Sequence, residues 1–113
     1  MTGSEWTCAR CGVTTTFMPG VADEFPSNWS EMNGAAFCLS CLRKMAGEAK
    51  AAELDEDESI ATRLRADAEG RVEFELARAP ERGDTRVARA CGTNVTVVRG
   101  VRARLGVYPT QPV

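Results

Sequence analysis

Histidine is absent from this 113-residue chain, and only Lys44 and Lys50 are lysine. Without an imidazole there is no Ser-His-Asp or Cys-His catalytic arrangement, and any non-thiol metal ligand would have to be a carboxylate. Aromatic residues make up 6% of the chain, too few for a large aromatic core. No stretch of about 18 apolar residues occurs, which excludes a membrane-spanning helix. No glycine-rich phosphate loop is found either. Met1–Glu5 lacks the basic and apolar regions of a secretion signal, so the expected location is the cytoplasm. Together these absences point away from an enzyme and from a membrane or small-molecule partner.

What is present divides sharply along the chain. The formal net charge is −2, but residues 1–77 carry 7 basic against 14 acidic side chains, whereas residues 78–113 carry 7 arginines against 2 acids. Only the second part is suited to a polyanion. The preference for arginine over lysine fits either a G+C-rich coding sequence or selection for bidentate recognition.

Five cysteines are present in a chain expected to stay reduced, so paired cysteines read as metal or redox sites rather than as a disulfide framework. Cys8-Ala9-Arg10-Cys11 and Cys38-Leu39-Ser40-Cys41 are two C-x2-C elements with 26 residues between them. Such spacing lets each short turn aim two sulfurs at one ion, and Gly12 permits the positive φ that ends the turn. Four thiolates close a tetrahedron, which favours one structural zinc ion. An iron–sulfur cluster or a redox dithiol would draw on the same four residues.

Val13–Met18 is β-branched and reads as extended, with turns at Pro19-Gly20 and Pro26-Ser27-Asn28, giving a small β-hairpin between the cysteine pairs. Residues 42–54 are rich in helix formers, placing the second pair at a helix start. Knuckle, hairpin, knuckle and helix resemble a treble-clef or zinc-ribbon-like module. Phe25-Pro26-Ser27-Asn28-Trp29 ahead of Phe37 is similar to a stretch in small bacterial and phage zinc proteins. Trp29 and Phe37 are expected in that module's core. A stacking platform for single-stranded nucleic acid, made of Trp6, Trp29, Phe17, Phe25 and Phe37, is the other use open to these aromatics.

The expected architecture is mainly α with a small β-hairpin: a zinc module at 1–52, an acidic connector at 53–59 and a helical domain at 60–113. The connector holds five carboxylates between Glu53 and Glu58. It reads as a hydrated linker, or else as a DNA mimic that restrains the basic half. Asp57 or Ser59 is placed to cap the next helix, Ile60 and Leu64 share one face, and Gly70 is expected to separate that helix from Arg71–Arg78.

From Asp84 onward the pattern is that of a helix-turn-helix. Asp84 is the expected N-cap, and Val87, Ala88 and Cys91 form an apolar stripe. Gly92 ends the helix, Asn94 starts the next, and Val98, Val101 and Leu105 recur at helical spacing. Cys91, the unpaired fifth cysteine, reads as core filler. Pro80, Arg82, Asp84, Ala88, Gly92, Val98, Val101, Arg102 and Leu105 resemble the helix-turn-helix segments of ParB-like and phage-type DNA-binding proteins, a likeness covering roughly 27 residues. Val87, Gly83, Thr93 and Asn94 depart from that pattern, and Gly100 departs most, since glycine inside a helix costs about 1 kcal/mol relative to alanine. The resemblance implies a small, phage-type transcriptional regulator of double-stranded DNA. Asn94, Val95, Thr96 and Arg99 would then stand at the groove, with Arg99 on guanine, and Arg86, Arg89, Arg102 and Arg104 on phosphates. A helix carboxylate is the other partner open to Arg102. The zinc module would dock a protein or pair two subunits. The competing expectation is an adaptor that binds a host protein such as RNA polymerase through that module.

Overall fold

The computed structural model describes residues 5–16 and 28–107. Within them lie two small antiparallel hairpins and four helices, so the fold is mainly helical with a little β structure. By its contacts the chain forms two compact units, Met1–Leu42 and Arg43–Val113. The division falls inside a helix, ten residues before the expected module end at 52.

In the first unit, β1 (Glu5–Thr7) pairs with β2 (Thr14–Thr16), with Trp6 opposite Thr15. The first cysteine pair is itself the connection of this hairpin. Cys8 N–H donates to the Val13 carbonyl at 2.8 Å, Gly12 N–H donates to the Cys8 carbonyl at 3.0 Å, and Gly12 has the positive φ of 80°. The expected extended segment thus appears as β2; Phe17, Met18 and the turns at 19–20 and 26–27 lie outside the described residues. A second hairpin lies between the cysteine pairs, where one was expected but later in the chain than Val13–Met18, and joins β3 (Ser30–Met32) to β4 (Ala35–Phe37) through Asn33-Gly34. Both turn residues have positive φ, 52° and 80°, as a two-residue hairpin turn that follows the strand twist requires. The Ala9 N–H donates to the Ala36 carbonyl at 2.8 Å, tying the first knuckle to β4. Helix α1 (Leu39–Ala52) then starts directly after Cys38.

The second unit is built from the rest of α1 with α2 (Ile60–Arg78), α3 (Asp84–Cys91) and α4 (Val95–Leu105). Ser59 caps α2, its hydroxyl accepting from Thr62 N–H at 3.2 Å. Val72 and Leu76 of α2, Val87, Ala88 and Cys91 of α3, and Val98 and Val101 of α4 make one dry aliphatic core, with Val95, Val97 and Val107 packed at its edge. The α3 stripe and the turn are as the sequence implies: Gly92 is left-handed at φ 67°, and the Asn94 side chain accepts from Val97 N–H at 3.0 Å. Cys91 is buried and donates to the Arg71 carbonyl, and burial pushes its thiol up to about 11.

Three expectations are corrected, and a fourth is sharpened. Gly70 does not separate two segments; it lies inside one continuous α2. A Cβ there would stand 2.7 Å from the Ala46 carbonyl oxygen of α1, and one at Gly47 would meet Asp67 at the same distance. The two glycines therefore let α1 and α2 cross at backbone contact, which offsets the helix-propensity cost. Ile60 and Leu64 do share a face, but it is solvent-facing, at 76% and 66% exposed. The N-cap of α3 is Gly83, not Asp84, whose carboxylate is engaged elsewhere. Leu105 is 45% exposed; the buried face of α4 turns instead toward Arg102, at 2%.

Candidate metal centre and candidate nucleic-acid interface

Each cysteine pair is positioned by the local fold just described, the first by a hairpin connection and the second by the junction of β4 with α1. The sulfurs of Cys8, Cys11, Cys38 and Cys41 all lie within 4.8 Å of one another, with Cys11 and Cys38 at 3.6 Å. A tetrahedral site with metal–sulfur bonds of about 2.3 Å has sulfur–sulfur edges of about 3.8 Å, so the four residues fit one ion. Cys8, Cys38 and Cys41 are buried and Cys11 is exposed. Trp29 and Phe37 pack against the cluster, as expected of them.

The electrostatics also call for a cation. Burial pushes the Cys8 thiol up, but backbone N–H groups of Cys11, Cys38 and Arg10 donate to it and bring it down to about 6. Cys41 is pushed up to about 12 by burial and by hydrogen bonding with Cys11, Cys38 and Cys8. Sulfurs this close cannot all be thiolate unless a positive ion among them compensates the charge. These four residues could hold a metal ion.

The arginines of the second unit sort into different roles. Arg86 and Arg89 are exposed on α3, and Thr96 is exposed on α4. Arg99 is 70% exposed and its Nε donates to Asp84 Oδ2 at 3.3 Å. Arg104, 45% exposed, stands 3.7 Å from Glu73. Val95 is half-buried against the core, and Asn94 is exposed while spending its side-chain oxygen on the α4 cap.

Arg102 is not a surface cation. Its Nε donates to Asp84 Oδ1 at 2.7 Å, Nη1 donates to the Pro80 and Val107 carbonyls, and Nη2 donates to the Arg82 carbonyl. Four of its five N–H donors are used inside the protein and the residue is buried, which leaves it no access to a phosphate. Asp84 thus joins the start of α3 to α4 through Arg102.

Sequence reasoning passed over a second buried ion, Glu75. It is fully buried, and Arg43, Arg78 and Arg82 all pair with it. Burial pushes its carboxyl up, but the Arg43 and Arg78 guanidiniums outweigh this and hold it below its ordinary value. In the sequence it is one acid among many on an amphipathic helix, and nothing local marks it. Gly100, by contrast, has open space where a Cβ would stand and lines a groove of about 580 Å³ with Leu64, Arg65 and Thr96. No contact within the described residues requires a glycine there.

No protein-family model, curated protein or solved structure matches this chain. Among the described residues no helix is long and apolar enough to cross a membrane.

Proposed function

We propose that this chain is a small DNA-binding transcriptional regulator in which α3 and α4 act as a helix-turn-helix on duplex DNA. One observation carries the reading. Two short helices joined by Gly92-Thr93-Asn94 share an aliphatic core, while Arg86, Arg89, Arg99 and Arg104 remain at the surface. In this reading α4 enters the major groove, Thr96 and Arg99 meet base edges, and the other three arginines meet phosphates. The resemblance to ParB-like and phage-type helix-turn-helix segments supports the same assignment. One such helix reads only about four to five base pairs, so useful specificity needs a second copy or a second contact surface.

The N-terminal module holds one structural zinc ion on Cys8, Cys11, Cys38 and Cys41. The ion supplies cross-linking rather than reaction chemistry, because four thiolates leave no open position. Metal analysis of purified protein should give one equivalent of zinc, and a coloured iron–sulfur preparation would refute the assignment.

The decisive test is duplex binding after selection from genomic fragments. Affinity should fall steeply between about 50 and 200 mM salt, as phosphate contacts demand. Arg99→Ala should weaken the selected site by about 1–3 kcal/mol. An unchanged affinity would remove Arg99 from the groove, and no retention on DNA even at low salt would end the reading.

A second reading is favoured by one specific feature. Ile60 and Leu64 expose a pair of large aliphatic side chains directly after the acidic run Asp55–Glu58. An apolar patch flanked by charge suits a protein partner, as an adaptor would need. Specific capture of one protein without DNA binding would favour it.

A further inference from the structure

Three guanidiniums converge on the buried carboxylate of Glu75. Arg43 Nε donates to Oε1 at 2.9 Å, Arg78 Nη2 donates to Oε2 at 3.0 Å, and Arg82 Nη1 donates to Oε2 at 3.2 Å. The arginines come from α1, from the last turn of α2 and from the loop before α3. Glu75 itself is sealed from solvent, while the side chains of Arg43, Arg78 and Arg82 are 15%, 30% and 40% exposed. Their inner edges are therefore fixed and their outer edges face water.

The charges do not balance. A guanidinium carries five N–H donors, and the carboxylate engages one from Arg43, one from Arg82 and two from Arg78. Three positive charges meet at this one negative carboxylate. Partly desolvated cations held close together draw an anion, and planar guanidinium forks match the acceptor oxygens of a phosphate group.

We propose that the outward edges of Arg43, Arg78 and Arg82 form a phosphate-binding site, with Glu75 as the buried counter-ion that fixes their orientation. Glu75 is thus a positioning residue. The phosphate comes either from the backbone of duplex DNA or from a free phosphate ion. The first source rests on the DNA reading above; the second does not.

The test uses the full, metal-loaded chain in chloride buffer, as wild type, Arg82→Gln, Arg82→Lys and the double variant Arg78→Gln with Arg82→Gln. Thermal melts establish that each is folded. In one arm, inorganic phosphate is titrated while the arginine Nε–H resonances are followed; a free-phosphate site gives saturable shifts at Arg78 that disappear in Arg82→Gln. In the other arm, duplex affinity is measured over about 50–200 mM salt. A DNA-backbone source makes the slope of log affinity against log salt shallower by about one in Arg82→Gln and about two in the double variant, with Arg82→Lys restoring it. Where wild type fails to bind duplex, the DNA reading falls and the phosphate arm alone decides. If neither phosphate nor duplex gives a response that depends on Arg82, the site does not exist.

Discussion

The two units of this chain solve the problem of folding a short sequence in opposite ways. In the first, among the described residues, the buried side chains are chiefly the thiols Cys8, Cys38 and Cys41, edged by half-buried Trp29 and Phe37. In the second, seven small and medium apolar residues from three helices close on each other, and two buried ions, Glu75 and Arg102, tie the segments between them. A unit of roughly 40 residues buries too little apolar surface to offset chain entropy, and an ion on the four thiols is the supplement our proposal gives it. The helical unit has enough aliphatic surface to do without one. The contrast leads us to expect that the two halves of one short chain answer to different reagents.

Removing the ion should give the largest effect. Structural zinc binding is worth on the order of 10 kcal/mol, so a strong chelator should unfold the first unit while the helical circular dichroism of the second largely persists. Loss of both together would break the contrast. Acid should produce the same separation without a chelator. Protons compete with the metal for thiolates, so the first unit fails as pH falls through mild acidity. Glu75 has its carboxyl lowered, so its contribution is complete above the ordinary carboxylate value and is lost only as pH falls through its lower folded value. The second unit should therefore melt at lower pH, below the usual carboxylate range, and a pH series of thermal melts checks the order.

The next largest effect is expected at Arg102. Alanine there strands the Asp84 carboxylate and several carbonyls, and breaking a buried pair from one side costs about 3–5 kcal/mol. Denaturant unfolding should show that loss in the second unit with metal content unchanged. The smallest pair concerns two helical glycines. Gly70→Ala drives a methyl into the α1 backbone and should destabilise by about 1–3 kcal/mol, while Gly100→Ala meets open space and should stabilise by up to about 1 kcal/mol. Equal effects at the two positions would contradict the close crossing of α1 and α2.

What was legible in the sequence was local. The two C-x2-C pairs announce their cluster because spacing alone brings the sulfurs together, and Gly92 with Asn94 announces a turn because φ and capping are properties of single residues. Asn33-Gly34 was equally legible as a hairpin turn but lay outside the segment where strands were sought. The failures share another cause. Gly70 reads as a break unless Ala46 is known to lie against it, and Arg102 reads as a phosphate ligand unless the carbonyls of Pro80, Arg82 and Val107 are known to surround it. Asp84 was given the cap because its position suits one, yet the opposite helix offers its carboxylate two guanidiniums. Long-range contact, not propensity, decides each of these.

The uneven burial of the four cysteines has a kinetic consequence. Of the four, Cys11 alone is open to solvent, so in a metal-loaded chain an alkylating electrophile or a competing soft ligand should attack there first, with the three buried sulfurs holding the ion for longer. With an ion bound, its loss should then proceed stepwise from that corner of the tetrahedron, and mass spectrometry should catch a singly modified, still metallated chain.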